Sequence, residues 1–118
     1  MSDLAVPPRV LLASGWFPFI VDFYWRARAA ALSPTVRGSV TVISWFRTAE
    51  KNRIEGGSAE SQHLFALAWD LTVEHGQAPK LAEAAHQVGL VAVPKRGAVH
   101  IQMFPAGVLA RAGVTFPR

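Results

Sequence analysis

Ser61-Gln62-His63-Leu64-Phe65-Ala66-Leu67-Ala68-Trp69-Asp70, joined thirty positions beyond its aspartate by Val99-His100-Ile101, carries most of what the chain reveals. From Leu64 to Val73 the residues alternate as in a strand. Ala66, Ala68, Asp70 and Thr72 share one face, and Phe65, Leu67, Trp69, Leu71 and Val73 share the other. Asp70 thus projects from a face of small residues that leaves space for a cavity. A second alternation sets Ala98, His100 and Gln102 against Val99, Ile101 and Met103. Two histidines and one carboxylate suit a catalytic zinc, which takes three N/O ligands and leaves a fourth position open. A lone histidine reads as a core or surface residue; His63 and His100 with Asp70 between them read as a metal set.

Working outward, residues 1–8 are a polar, Pro-Pro lead-in and Arg9 to Ala13 reads as a short strand. Ser14-Gly15 is a turn. Phe19, Phe23, Ala27, Ala30 and Ala31 mark the inner face of a helix over about Pro18 to Leu32, stopped by Ser33-Pro34. Val40 to Trp45 alternates as a strand, Arg47 to Asn52 forms a helical turn, and Gly56-Gly57 breaks it. After the loop Glu74-His75-Gly76, Pro79 opens a helix with Leu81, Ala84, Ala85 and Val88 inside, closed by Gly89. This helix is expected over the apolar face, against Phe65, Leu67 or Trp69. Leu90–Val93 and Ala98–Met103 form a hairpin. The sum is an α+β fold, a small and mainly antiparallel sheet with helices packed on one side.

The chain has 118 residues, a length that reads as one domain, 1–118, able to bury a core without staples. Its 51% hydrophobic content and mean hydropathy of +0.23 are high for so small a domain, and fit either a partner surface or a buried sheet. No cysteine is present, which excludes disulfides and thiolate metal sites. The net charge of +4 is scattered. It favours anionic polymers at long range, while the plainer reading is a solvated basic surface. No basic-aromatic stripe points to nucleic acid. The run VLLASGWFPFIV, interrupted by Pro18 and Asp22, is too short to span a membrane and lacks a leader's cleavage pattern.

The stretch Ser44 to Leu71, SWFRTAEKNRIEGGSAESQHLFALAWDL, resembles the core of the M15-type zinc peptidases. These are D-Ala-D-Ala carboxypeptidases and phage cell-wall endopeptidases, which share a fold with the Hedgehog signalling domain. That family reads Ser-Gly-Tyr-Arg-Ser/Thr, then Asn-Arg with Gly-Gly, then Ser-x-His-x-x-Gly-x-Ala-x-Asp, and a histidine on a late strand. Ser44, Arg47, Thr48, Asn52, Arg53, Gly56, Gly57, Ser61, His63, Ala68, Asp70 and His100 match in order, within residues 36–104. The resemblance implies Zn2+ on His63, Asp70 and His100, and a substrate role for Arg47, whose guanidinium suits a carboxylate. It also places Ser61 at the substrate site, where a plain turn residue is the other reading. Gln102 is a further candidate for substrate binding.

Three departures from the family matter. Ala66 replaces the glycine after the first histidine. Trp45 and Phe46 replace Gly-Tyr. No carboxylate or histidine occupies the positions near the last ligand where branches of the family carry one: these are Pro94, Gly97, Ala98 and Gln102. A positioned base is worth about 10²–10⁴-fold. The resemblance implies a zinc-dependent peptidase acting on peptidoglycan stem peptides, of phage or prophage origin, found in the host cytoplasm before lysis or on the virus particle. The alternative is a weakened or inactive domain serving as a structural or binding part of a phage particle. Expected partners are peptidoglycan peptide, virion proteins or a second copy, with no nucleic acid and no membrane. Glu55 and Glu60 flank the Gly-Gly loop as possible displaced bases, against a plainer reading as surface charge. His75 and His86 are not expected to ligate, and the four tryptophans are assigned to the core.

Overall fold

The computed structural model describes residues 5–118, so the first half of the Pro-Pro lead-in lies outside the described residues. Four strands form one open antiparallel sheet: β1 (Val40–Ser44), β2 (Ala68–Val73), β3 (Val91–Lys95) and β4 (Ala98–Gln102), in the order β1-β2-β4-β3. The helices are α1 (Arg9–Leu12), α2 (Phe17–Ala31), α3 (Ala49–Ile54), α4 (Ala78–Gln87) and α5 (Val108–Arg111), with a 3₁₀ turn over Gln62–Phe65. This is the α+β arrangement the alternation predicts.

The pleat sorts the residues of the two central strands. Trp69 and Leu71 of β2, with Val99 and Ile101 of β4, are buried on the helix-facing side. Asp70 and His100 project from the other side and are directly opposite each other in the β2–β4 register. Above the apolar face, α4 lies over β3 and β4 and against α2. Its buried side is Leu81, Ala82, Ala84 and Ala85. Trp69 meets its ring partners elsewhere: Phe23 and Tyr24 of α2 lie edge-on at 5.8 Å, and Trp45 at 5.9 Å. Helix α2 thus packs two of its rings against Trp69, the one aromatic of β2.

Several sequence expectations need correction. Arg9–Leu12 is a helical turn, not a strand; the Leu11 and Leu12 amides donate to the Pro8 carbonyl and Ala13 to Arg9. A four-residue run with three apolar members fits either state, and among the described residues no strand pairs with it. The inner face of α2 begins at Ile20 rather than Phe19, which is 43% exposed, and Trp25 is 58% exposed rather than part of the core. The strand expected from Leu64 starts only at Ala68, because Ala66 adopts a left-handed backbone (φ 59°) that breaks the alternation.

Phe23 is wholly buried on α2, although that helix lies outside the motif-bearing segment. Phe23→Ala is expected to cost about 3–5 kcal/mol, measured by urea denaturation. A loss below about 1 kcal/mol, the size of an ordinary surface change, would show that α2 does not pack over Trp69.

Candidate metal centre

The floor of the site is the non-helical face of β2 and β4. Their register alone brings Asp70 and His100 together, and the His100 Nδ1 lies 2.7 Å from Asp70 Oδ1. His63 arrives from the 3₁₀ turn that precedes β2. Ser61 caps that turn, its Oγ accepting from the His63 amide at 3.2 Å. The turn is fastened to the segment after β1: Arg47 N–H donates to the His63 carbonyl at 3.0 Å, and His63 Nδ1 donates to the Trp45 carbonyl at 2.6 Å. A carbonyl can only accept, so the proton is on Nδ1 and the Nε2 lone pair is left bare in the neutral ring. That Nε2 is buried, has no hydrogen-bond partner, and lies 3.2 Å from Asp70 Oδ2.

The 3₁₀ turn that carries His63 ends at Ala66 in a left-handed backbone (φ 59°). Glycine takes this conformation freely, whereas an alanine pays roughly 1–2 kcal/mol. Ala66 is fully buried, and the Trp45 indole N–H donates to its carbonyl at 2.8 Å. Two of the departures from the family pattern thus touch each other: Trp45 secures the strained Ala66 with its side chain and His63 with its carbonyl.

Arg47 sits behind Asp70. Its Nη2 donates to Asp70 Oδ2 at 2.8 Å, its Nε to Ser44 Oγ at 3.1 Å, and its Nη1 to Asn52 Oδ1 at 3.5 Å. The buried Asn52 also donates to the Ser58 carbonyl at 2.7 Å. A Cβ on Gly57 would collide with Asn52 Oδ1, which explains a glycine there. Burial pushes the Asp70 pKa up, but the imidazoles of His100 and His63 beside it more than offset this, holding the carboxyl well below the usual range. Asp70 is therefore an anion at neutral pH.

One candidate ligand atom from each of His63, Asp70 and His100 falls within a set whose members all lie within 4.8 Å of one another. This is the group of His, Cys, Asp or Glu found able to hold a metal among the described residues. His75 is exposed in a turn and His86 lies on α4, its Nε2 3.3 Å from the Ala92 carbonyl. The donor set fits a divalent ion: two imidazoles, one anion, and a buried bare nitrogen aimed at the shared centre. The Nδ1 bond of His63 to a carbonyl is the outer support that metal-binding histidines commonly carry.

The set opens into a cleft of about 430 Å³. Arg47, Ser61, Gln102, Glu55, Glu60 and Lys95 are among the residues that line it. Gln102 spends its amide within the fold: Oε1 accepts from His100 Nε2 at 2.8 Å, and Nε2 donates to the Phe104 carbonyl at 2.7 Å. Sequence reasoning missed Gln62, which is buried and grips the Phe104 peptide from both sides, donating to its carbonyl at 2.6 Å and accepting its N–H at 2.9 Å. Its one sequence signal is a polar side chain next to His63 in an otherwise apolar run.

Residues 31–102, well over half of the chain, match the family model described as Peptidase M15, and the chain belongs to that family. Its members are peptidases and are typically metal-dependent. No curated protein and no solved structure matches the chain.

The strain at Ala66 is open to measurement. Ala66→Gly is expected to stay within about 1 kcal/mol of the parent, because relief of the left-handed strain offsets the added freedom of the unfolded chain. Ala66→Val adds bulk and a β-branched side chain at positive φ, and is expected to lose at least about 1–3 kcal/mol. Equal stability of the two variants would contradict the turn geometry.

Proposed function

We propose that this member of the Peptidase M15 family is a zinc-dependent peptidase acting on peptidoglycan stem peptides, and a product of a bacteriophage or prophage. One observation carries the reading: a buried, unpartnered His63 Nε2 converges with Asp70 and His100 at the base of an open cleft. His63, Asp70 and His100 hold the ion. Bound there, zinc supplies Lewis acidity toward a carbonyl and makes water easier to deprotonate. The choice of wall peptides rests on the resemblance of the Ser44–Leu71 stretch to wall-directed enzymes.

The rest of the chemistry falls to the chain's own groups. Arg47 orients Asp70 through Nη2. One hydrogen on each of its terminal nitrogens remains for a substrate oxygen, either a carboxylate or the developing oxyanion. Ser61 shapes the His63 turn at the cleft wall. Proton transfer needs a base, and Pro94, Gly97, Ala98 and Gln102 offer none. Glu55 and Glu60 are the other carboxylates lining the cleft among the described residues. Glu55 pairs with Lys51 at 3.3 Å. Either glutamate would serve as base from a less favourable place than a group beside His100, so turnover is expected to be slow.

The second reading is a binding or structural component of a virus particle. Its support is the missing carboxylate near His100 together with exposed Phe17, Val21, Trp25 and Leu32 along and just beyond α2.

Digestion of purified peptidoglycan, with released peptides separated by chromatography, distinguishes the two. Slow release is expected, lost in His63→Ala. Either Glu55→Gln or Glu60→Gln is expected to lower the rate further, by less than the about 10²–10⁴-fold of a well-placed base. Co-sedimentation with the wall and no release at any enzyme concentration would contradict the peptidase reading and favour the structural one.

A further inference from the structure

Gln102 stands two residues after His100 on the same face of β4, at the cleft wall. Its amide orientation is decided by its neighbours. The Phe104 carbonyl, 2.7 Å from one amide atom, can only accept, so that atom is the NH₂ group. The opposite orientation would set two carbonyl oxygens against each other. Gln62 holds the Phe104 peptide by both its N–H and its carbonyl, so this reference point is fixed. The Gln102 Oε1 therefore faces His100 Nε2 at 2.8 Å and must receive a proton from it.

A neutral imidazole has one N–H, and this chain of contacts assigns it to Nε2. Nδ1 is then a bare acceptor 2.7 Å from the Asp70 carboxylate. Two acceptors approach so closely only across a shared cation, a proton or a metal ion.

We propose that Gln102 is a positioning residue for the metal centre: through Phe104 and Gln62 it fixes His100 with its proton on Nε2, so that Nδ1 is the atom presented to the ion. The inference deepens the metal-dependent reading above and rests on it. It gives Gln102 a task in holding the ion, in place of the substrate contact its cleft position suggests. It also explains why an amide serves at this position. His63 shows its Nε2 to the same centre because a carbonyl claims its Nδ1, and His100 shows its Nδ1 because an amide oxygen claims its Nε2. The two rings thus use opposite nitrogens, each set by a partner outside the ligand set.

The test uses the tag-free full chain and zinc alone. Zinc affinity is measured by competition with a chromophoric chelator for the parent, Gln102→Leu and Gln102→Glu. The histidine rings of the zinc-loaded parent are read by long-range ¹H–¹⁵N correlation. Gln102→Leu removes the acceptor and is expected to weaken zinc by roughly 10–100-fold. Gln102→Glu keeps an acceptor toward Nε2–H but loses the donor to the Phe104 carbonyl and sets an oxygen against it; it is expected to weaken zinc, and by less than Gln102→Leu, which removes the outer partner altogether. The ring spectrum is expected to show His100 protonated at Nε2 and ligated through Nδ1. A folded Gln102→Leu that binds zinc as tightly as the parent would overturn the proposal and leave the metal centre standing, as would a His100 protonated at Nδ1. If Gln102→Leu does not fold, the parent's ring spectrum still decides. Failure of the parent to bind zinc at all would overturn the metal reading itself, and this proposal with it.

Discussion

The Asp70 carboxylate is the point on which the site is built. Its Oδ1 lies 2.7 Å from His100 Nδ1, while its Oδ2 receives Arg47 Nη2 at 2.8 Å and lies 3.2 Å from His63 Nε2. Bringing a carboxylate into a partly buried position carries a desolvation cost, and removing one partner of such a pair leaves a charge uncompensated. The surrounding sequence sets one permanent cation and two imidazoles around it. Each of these is held in turn by a different part of the chain. Arg47 follows β1 and leans on Ser44 and Asn52. His100 is delivered by strand register. His63 is delivered by a turn.

That turn shows how the chain departs from its family without losing the geometry. A left-handed residue after the first histidine favours glycine, and this chain places Ala66 there. Trp45, in another position where the family has glycine, donates to the Ala66 carbonyl and offers its own carbonyl to His63. The same side chain stacks on Tyr24 and meets Trp69 edge-on, so the site's most strained residue is tied directly to the aromatic core. Core packing and ligand orientation are coupled through one tryptophan.

The α+β class and the pairing of Asp70 with His100 were legible because a strand's period of two writes its faces into the sequence. The convergence of His63 with them was legible only through the family spacing. The local pattern placed His63 just ahead of a strand that does not yet exist at that point, since a positive φ at Ala66 leaves no trace in hydrophobic alternation. Arg9–Leu12 failed for a related reason: four residues fit a strand or a helical turn equally, and the outcome depends on whether a partner strand is near. Trp25 failed because size and apolarity argue for burial while helix phase argues against it. The roles of Gln62 and Gln102 were beyond reach, since they depend on which way two amides point toward one backbone carbonyl.

The central claim is that His63, Asp70 and His100 together hold a zinc ion. Anomalous scattering at the zinc edge, from crystals of the full chain grown with zinc, tests it most directly. The account predicts one site per chain, with His63 Nε2, an Asp70 carboxylate oxygen and His100 Nδ1 each at about 2.0–2.2 Å from the peak. A zinc peak elsewhere, on His75 or His86, with these three side chains still converged and no density between them, would contradict it.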